Sequence, residues 1–348
     1  MSSPVTPSFV EPSPVAYDPH PGRPDIPRDF WGRPFVIPPT GGRAVPYTRA
    51  TTFVGAVEDY YLLSKWQQRH TARGVAHHPD LIDAIKDTEA DDKKRMDELV
   101  EEAKERSGAG DAARFGTYLH AVTEAADRDE DPAEIPLPWM SSGPLDPNGY
   151  LSYLAAYSEA TAELQAVMIE QFCVQDPLKV AGTPDRVVKF QGKRYIADLK
   201  TGHVDLGSIK IAAQLAVYAR SRPYDWKAGE RLEPHGAELD RGIVVHLSAE
   251  TGECHLYWID LLQGWEAVRV ARDVRATRGV RFNQLMRELQ PIGDAPLSLA
   301  DQIKLAPTRD AVTALWQTHA EEWTPELTEL AKAHIAALAG TTAPTPTP

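Results

Sequence analysis

The sequence has almost no cysteine: Cys173 and Cys254 are its two thiols. Two thiols exclude a multi-bridge disulfide framework and any four-cysteine zinc or iron–sulfur site built within one chain. Both read as buried thiols. Long apolar runs are missing too, and no window approaches the roughly 18 to 20 uninterrupted apolar residues of a membrane span. Residues 1–14 do not have the basic-then-apolar order of a secretory signal, which points to a cytoplasmic protein without membrane contact. Basic charge is also short: 37 Lys and Arg against 50 Asp and Glu leave a net charge of −13. That excludes a protein coating nucleic acid with its whole surface, so any polyanion site must be local. Carboxylates gathered to hold divalent metal would add to such an acidic excess, and the bound metal then inverts the local field.

The 42% hydrophobic content suffices for one large domain with appendages. Residues 1–45 hold many of the prolines, as in Pro12-Ser13-Pro14 and Pro38-Pro39, and read as an extended arm. The main domain runs over residues 46–290. Phe53, Val54, Tyr60, Tyr61, Leu63 and Trp66 recur at spacings suited to an apolar helical stripe, in a helical region that continues through Leu99. Residues 114–126 read as a helix, 127–148 as an acidic, proline-containing loop, and the next helix reaches about 164. The runs 166–175, 183–190 and 194–200 are β-branched or aromatic and are broken by Pro177, Gly182 and Gln191-Gly192, which predicts strands with a tight hairpin between the last two. A helix over 209–220, strands over 242–247 and 255–259, and a long helix over 261–289 complete the pattern. The expected fold is α/β (α+β), a small mixed sheet flanked by helices. Residues 291–340 read as a small helical hairpin around Leu315, Trp316, Trp323, Leu327, Leu330 and Ile335, and 341–348 (TTAPTPTP) as a disordered tail.

Chemistry concentrates on the hairpin. Gly182-Thr183-Pro184-Asp185 delivers Asp185 onto its first strand through a glycine that tolerates a close approach. In residues 194–200 (RYIADLK), alternation puts Ile196, Asp198 and Lys200 on one face and Tyr195, Ala197 and Leu199 on the other. Asp185 and Asp198 are about equally far from the turn and so lie roughly opposite one another. Two carboxylates and an ammonium in one small volume call for a divalent cation. Such a cation equips the site for phosphodiester hydrolysis, with the lysine orienting water or meeting the developing negative oxygens. An Asp-x-Lys triplet alone more often marks a surface ion pair. Gln214 and Tyr218, four apart on the following helix, share a face suited to a phosphate or ribose edge. His120, four residues after Gly116 and one turn before Glu124, can complete a metal's coordination.

Taken in order, Gly116-x-x-x-His120, Gly182-x-x-Asp185, Asp198-Leu199-Lys200-Thr201-Gly202 and Gln214-x-x-x-Tyr218 resemble the motif series of RecB-like nucleases in the PD-(D/E)xK superfamily. The likeness covers residues 47–289 and is nearest to phage-encoded members related to the CRISPR-associated RecB-like exonucleases. It implies the restriction-endonuclease-like core and a Mg²⁺- or Mn²⁺-dependent DNA exonuclease. It implies His120, Asp185, Asp198 and the Leu199 carbonyl as metal ligands and Lys200 as the catalytic lysine. Gln214 and Tyr218 would bind the DNA strand, and Glu170 would be an auxiliary residue. Phage recombination, repair or end-processing, with a recombination partner protein, follows from the same likeness. Many relatives hold an iron–sulfur cluster with four cysteines; with two cysteines, no iron–sulfur cluster is expected here.

Other signals read as structural. The adjacent His77 and His78 point apart, and His203, His235, His246 and His255 lack ligand spacing. Arg269, Arg272, Arg275, Arg278 and Arg281 recur every third residue and therefore wind around their helix, with Glu266, Asp273 and Glu288 interleaved. Two rival functions keep the same core: a structure- or sequence-directed endonuclease, and a non-catalytic DNA-binding subunit. Because helical insertions fall on both sides of the hairpin, a channel that threads a strand end is expected in place of an open cleft.

Overall fold

A computed structural model describes residues 17–20, 25–205, 207–281, 285–286 and 297–340. Much of the proline-rich arm (1–16 and 21–24) and the tail 341–348 lie outside these residues. The chain forms two compact units, residues 1–280 and 281–348.

The first unit is organised by a five-stranded mixed sheet. Its strands are β4 (Gln165–Ile169), β7 (Arg186–Phe190), β8 (Lys193–Lys200), β11 (Arg241–Leu247) and β12 (Cys254–Asp260), in the spatial order β12-β11-β8-β7-β4. Strands β7 and β8 make the expected hairpin, pairing Phe190 with Lys193 and Arg186 with Ala197. Gln191 and Gly192 both take positive φ, the condition for a two-residue turn that follows the strand twist. Within this sheet, among the described residues, the one parallel pair is β8 with β11. A parallel neighbour requires a crossover, and α7 (Ser208–Ala219) lies within the connection. Strand β8 is thereby central and buried on both faces. On one side Ile196 and Val187 pack beneath α7, α8 (Leu261–Arg278) and the short α1 (Ala50–Val54). On the other, Tyr195, Ala197 and Leu199 pack with Tyr118, Leu119 and Val122 of α5 (Asp111–Asp127) and with Tyr150 and Tyr157 of α6 (Tyr150–Ala160). Each fully buried aliphatic side chain in these layers is worth about 1.5–3 kcal/mol.

A second five-stranded sheet was not expected from the sequence. It joins β3 (Thr48–Arg49), β5 (Cys173–Gln175), β6 (Val180–Gly182), β9 (Arg222–Asp225) and β10 (Glu230–Arg231) in the order β10-β9-β5-β6-β3. The run 166–175 is therefore two strands in two sheets, parted where Glu170 adopts φ +49°. A separate ribbon, β1 (Phe35–Val36) with β2 (Val45–Pro46), lays Val36 into a cluster with Tyr47, Phe172 and Tyr224. The described part of the arm is thus docked: Tyr17 donates its hydroxyl to the Pro136 carbonyl at 2.7 Å.

The apolar stripe drawn through residues 53–66 divides. Phe53 and Val54 are buried in α1, but the chain then turns, and Tyr60, Tyr61, Leu63 and Trp66 are exposed at the start of α2 (Tyr61–His77). Helix α2 packs with α3 (Pro79–Lys86) and α4 (Lys93–Arg106) through its C-terminal half, where Gly74 lies against the Ala103 backbone. The helix expected over 261–289 ends at Arg278, where the N–H of Gly279 turns back to Ala276; residues 282–284 and 287–289 lie outside the described set. Its arginines are largely engaged: Arg269 pairs with Glu266, Arg272 with Asp273, and Arg275 stacks over Phe53. No described helix is long and apolar enough to cross a membrane.

Among its described residues the second unit contains three helices where a hairpin is expected: α9 (Leu299–Leu305), α10 (Arg309–Thr318) and α11 (Pro325–Gly340). Ser298 and Thr308 cap the first two. Ile303, Val312 and Ala331 form its centre, with Leu315, Trp323, Leu327, Leu330 and Ile335 around them; Trp316 is exposed. The loop at 306–308 is too short to show as a break in the apolar period.

Candidate active site

The hairpin register continues one step beyond Arg186 and Ala197 to set Asp185 opposite Asp198. Asp185 lies just before β7 and accepts a hydrogen bond from the Leu199 N–H at 2.8 Å, which fixes its carboxylate to the end of β8. Asp198 is 2% exposed, and its Oδ2 accepts no hydrogen bond of proper geometry. The Lys200 ammonium lies against that oxygen as an ion pair. His120 on α5 brings Nδ1 to 3.4 Å from Asp185 Oδ2. These four side chains are therefore brought together. The Leu199 side chain points the other way, into the apolar layer under α5.

Electrostatics at this point are those of a site short of positive charge. Burial, and then the nearby Asp185 charge, push the Asp198 carboxyl above the usual carboxylate range, while Lys200 opposes the shift. Lys200 is held above its ordinary value because both aspartates outweigh the cost of burying it, so it stays an ammonium at neutral pH. Burial lowers His120, leaving a neutral imidazole with a lone pair to donate. Glu170 sits beside the group, its N–H donating to the Asp185 carbonyl at 2.9 Å. It keeps one side open to solvent, which tempers an upward push from desolvation and from the charges of Asp185 and Glu124. Its left-handed backbone costs of the order of 1–3 kcal/mol, strain of the kind that collects at functional sites.

Two glycines let the surrounding elements close in. A Cβ on Gly116 would meet Thr201 Oγ1 at 2.6 Å, so glycine allows α5 to lie against the turn that follows Lys200. A Cβ on Gly182 would meet the Tyr218 hydroxyl at 2.8 Å. Gln214 is half-buried, whereas Tyr218 is 4% exposed and packs in the core behind the carboxylates. The two residues are neighbours on α7: Gln214 hydrogen-bonds the Tyr218 side chain, which the Asp198 and Asp185 charges reach from the site, and Gln214 is the more open of the pair.

Three residues join the site that sequence spacing did not single out for it. Arg186 is buried, ion-paired with Asp127, and donates to Thr123 at 2.9 Å, clamping β7 to α5. Glu124, also buried, takes Arg128 at 3.0 Å and His20 of the arm at 3.3 Å. Alternation in residues 183–190 could have flagged Arg186 as an inward charge; nothing local could have placed His20.

Whether a divalent metal suits these residues is answered by the donor set. Two mutually repelling carboxylates, Asp198 buried and Asp185 half-buried, offer hard oxygen ligands of the type Mg²⁺ and Mn²⁺ take, and a neutral imidazole is compatible with Mn²⁺. Among the described residues no three such side chains already stand in a metal-holding arrangement. Lys200 and His120 face the aspartates instead. The donors fit.

Comparison with protein families matches residues 93–221 to the PD-(D/E)XK nuclease superfamily. The matched stretch begins with α4 and ends just after α7, so it includes His120, Glu170, Asp185, Asp198, Lys200, Gln214 and Tyr218 and leaves α2 outside. Comparison with curated proteins finds no match. The family match suggests metal-dependent nuclease activity.

Proposed function

We propose that this chain is a Mg²⁺- or Mn²⁺-dependent DNA exonuclease of the RecB-like kind, acting at strand ends in phage recombination, repair or end-processing beside a recombination partner protein. The observation that carries the proposal is the Asp185–Asp198–Lys200 group, two carboxylates sharing one ammonium with Asp198 buried and the other two half-buried, inside the stretch matched to a nuclease superfamily.

Asp185, Asp198, His120 and the Leu199 carbonyl would hold the metal, with Glu170 as an auxiliary carboxylate. When bound, the ion supplies polarisation of the phosphoryl oxygen and a lowered pKa for water. The chain's own groups do the rest. Lys200, kept protonated by the aspartates, is a donor and not a base. Once Asp198 is otherwise neutralised, its ammonium is available to align the attacking water and meet the charge growing on the phosphoryl oxygens. The Leu199 N–H holds the Asp185 carboxylate in one orientation. Gln214 offers an amide to a phosphate or sugar edge, and Tyr218 keeps α7 seated behind the carboxylates.

With a net charge of −13, capture of DNA along its length is disfavoured, and entry at an end is the favoured route. Linear end-labelled DNA should be degraded with Mg²⁺ and spared with EDTA, while closed circles, single- or double-stranded, survive under the same conditions. Rapid cutting of circles would replace the exonuclease with an endonuclease of the same core.

A further inference from the structure

Helix α2 breaks the usual rule for a helix on a folded domain. Residues 61–69 are exposed at every position, around the whole circumference, although they include Tyr61, Leu62, Leu63 and Trp66. Tyr60 adds a fifth exposed apolar side chain. A contiguous patch of this kind marks a surface that something covers.

Its charge says what. Between Tyr60 and His78 there is no acidic residue, but there are Lys65, Arg69 and Arg73, in a chain whose net charge is −13. Tyr61, Lys65, Arg69 and Arg73 are spaced by four and form one stripe; Leu62, Trp66 and His70 form the next. Neither Arg69 nor Arg73 takes an ion pair among the described residues, unlike most arginines of α4 and α8. The Lys65 ammonium lies 5.8 Å from the Tyr61 ring. His70 is anchored to Ser107 at 2.8 Å and props the Trp66 ring at 4.4 Å. Aromatic faces interleaved with free cations are the equipment that binds single-stranded nucleic acid, because bases stack on the rings while phosphates meet the cations.

The helix is also tethered to both walls of the site. Glu58, just before it, pairs at 2.7 Å with Lys210, one turn before Gln214 on α7. Ser107, which holds His70, closes α4 where the chain turns into α5, the helix of His120.

We propose that the exposed face of α2 is a stacking platform for unpaired bases of a DNA strand entering the site, a proposal that rests on the nuclease function above. An apolar partner helix would not need the run of cations, and duplex DNA offers no free base faces along its length.

The test uses the full chain carrying Lys200→Ala to prevent cleavage, with Mg²⁺ present, and fluorescence anisotropy of labelled oligothymidylate. Tyr61→Ala with Trp66→Ala should weaken binding about tenfold or more, as expected for loss of two stacked bases. Affinity for blunt duplex should stay unchanged, and Trp66→Phe should retain most of the affinity. Lys65→Glu, Arg69→Glu and Arg73→Glu together should flatten the slope of log affinity against log salt by about 2. Unchanged affinity for single strands in the double alanine variant overturns the proposal. So does a change confined to self-association, seen as a dimer that becomes a monomer in sedimentation. Because the variants touch only exposed residues, an unaltered thermal melt separates lost binding from lost fold. In the wild-type background the double alanine variant should still hydrolyse bis(p-nitrophenyl) phosphate. Absence of that activity in wild type would count against the nuclease function and leave the binding result to judge α2.

Discussion

Strand β8 and helix α2 invert the ordinary arrangement in opposite senses. The strand carries an aspartate and a lysine into the interior, and the helix holds tyrosine, leucine and tryptophan out in solvent. Elsewhere in the first unit apolar layers lie inside and ion pairs line helix surfaces, with Arg186 and Glu124 as further buried charges. Each inversion has a cost: two neighbouring carboxylates that share a single ammonium in one case, uncovered hydrocarbon in the other. What the two regions teach together is that the missing partners differ in kind. The strand is short of a cation, and the helix is short of a flat apolar face accompanied by negative charge.

The contrast breaks most visibly at Lys200. If its ammonium meets charge in the transition state, Lys200→Ala should lower cleavage by about 10³-fold while the circular dichroism spectrum stays native. Loss of fold with no specific loss of turnover per folded molecule would make the residue a structural counter-ion. A smaller effect is expected at Gly182, where the strand meets the tyrosine behind the site. Gly182→Ala forces a methyl group into the Tyr218 ring and should destabilise the fold by about 1–3 kcal/mol, seen as a lower midpoint in urea. An unchanged midpoint would mean that Tyr218 is free to move and does not fix α7 against the carboxylates.

Much of the hairpin was legible because its information is local. Period-two alternation and the Gln191-Gly192 turn determine which residues share a face and which lie opposite, and that is how Asp185, Asp198 and Lys200 were brought together. The family match over 93–221 covers the same stretch and bears on its superfamily. The second sheet was not legible. Its strands are two to four residues long and come from distant parts of the chain, so no window contains a period to detect. Glu170 illustrates the difficulty: an apolar run continues through it in sequence, yet its left-handed backbone sends the two halves to different sheets. The exposure of the start of α2 is illegible in the sequence for a related reason. Periodicity reports that apolar residues share a stripe, but burial depends on whether tertiary structure supplies a surface for that stripe, and here α3 and α4 meet only the later turns. Tyr218 shows the reverse case, a polar-capable side chain on a half-open helix that lies in the core because α7 is covered by α8 and α1.

The central claim is that the buried carboxylates of the hairpin serve metal-dependent phosphodiester cleavage. Single-turnover cleavage of end-labelled single-stranded DNA in Mg²⁺, by wild type and by Asp198→Asn, tests it most directly. The substitution keeps the shape of the side chain and removes its charge, so the fold should persist. The account expects rapid, EDTA-sensitive cleavage by wild type and none detectable by Asp198→Asn; cleavage by Asp198→Asn at the wild-type rate would contradict it.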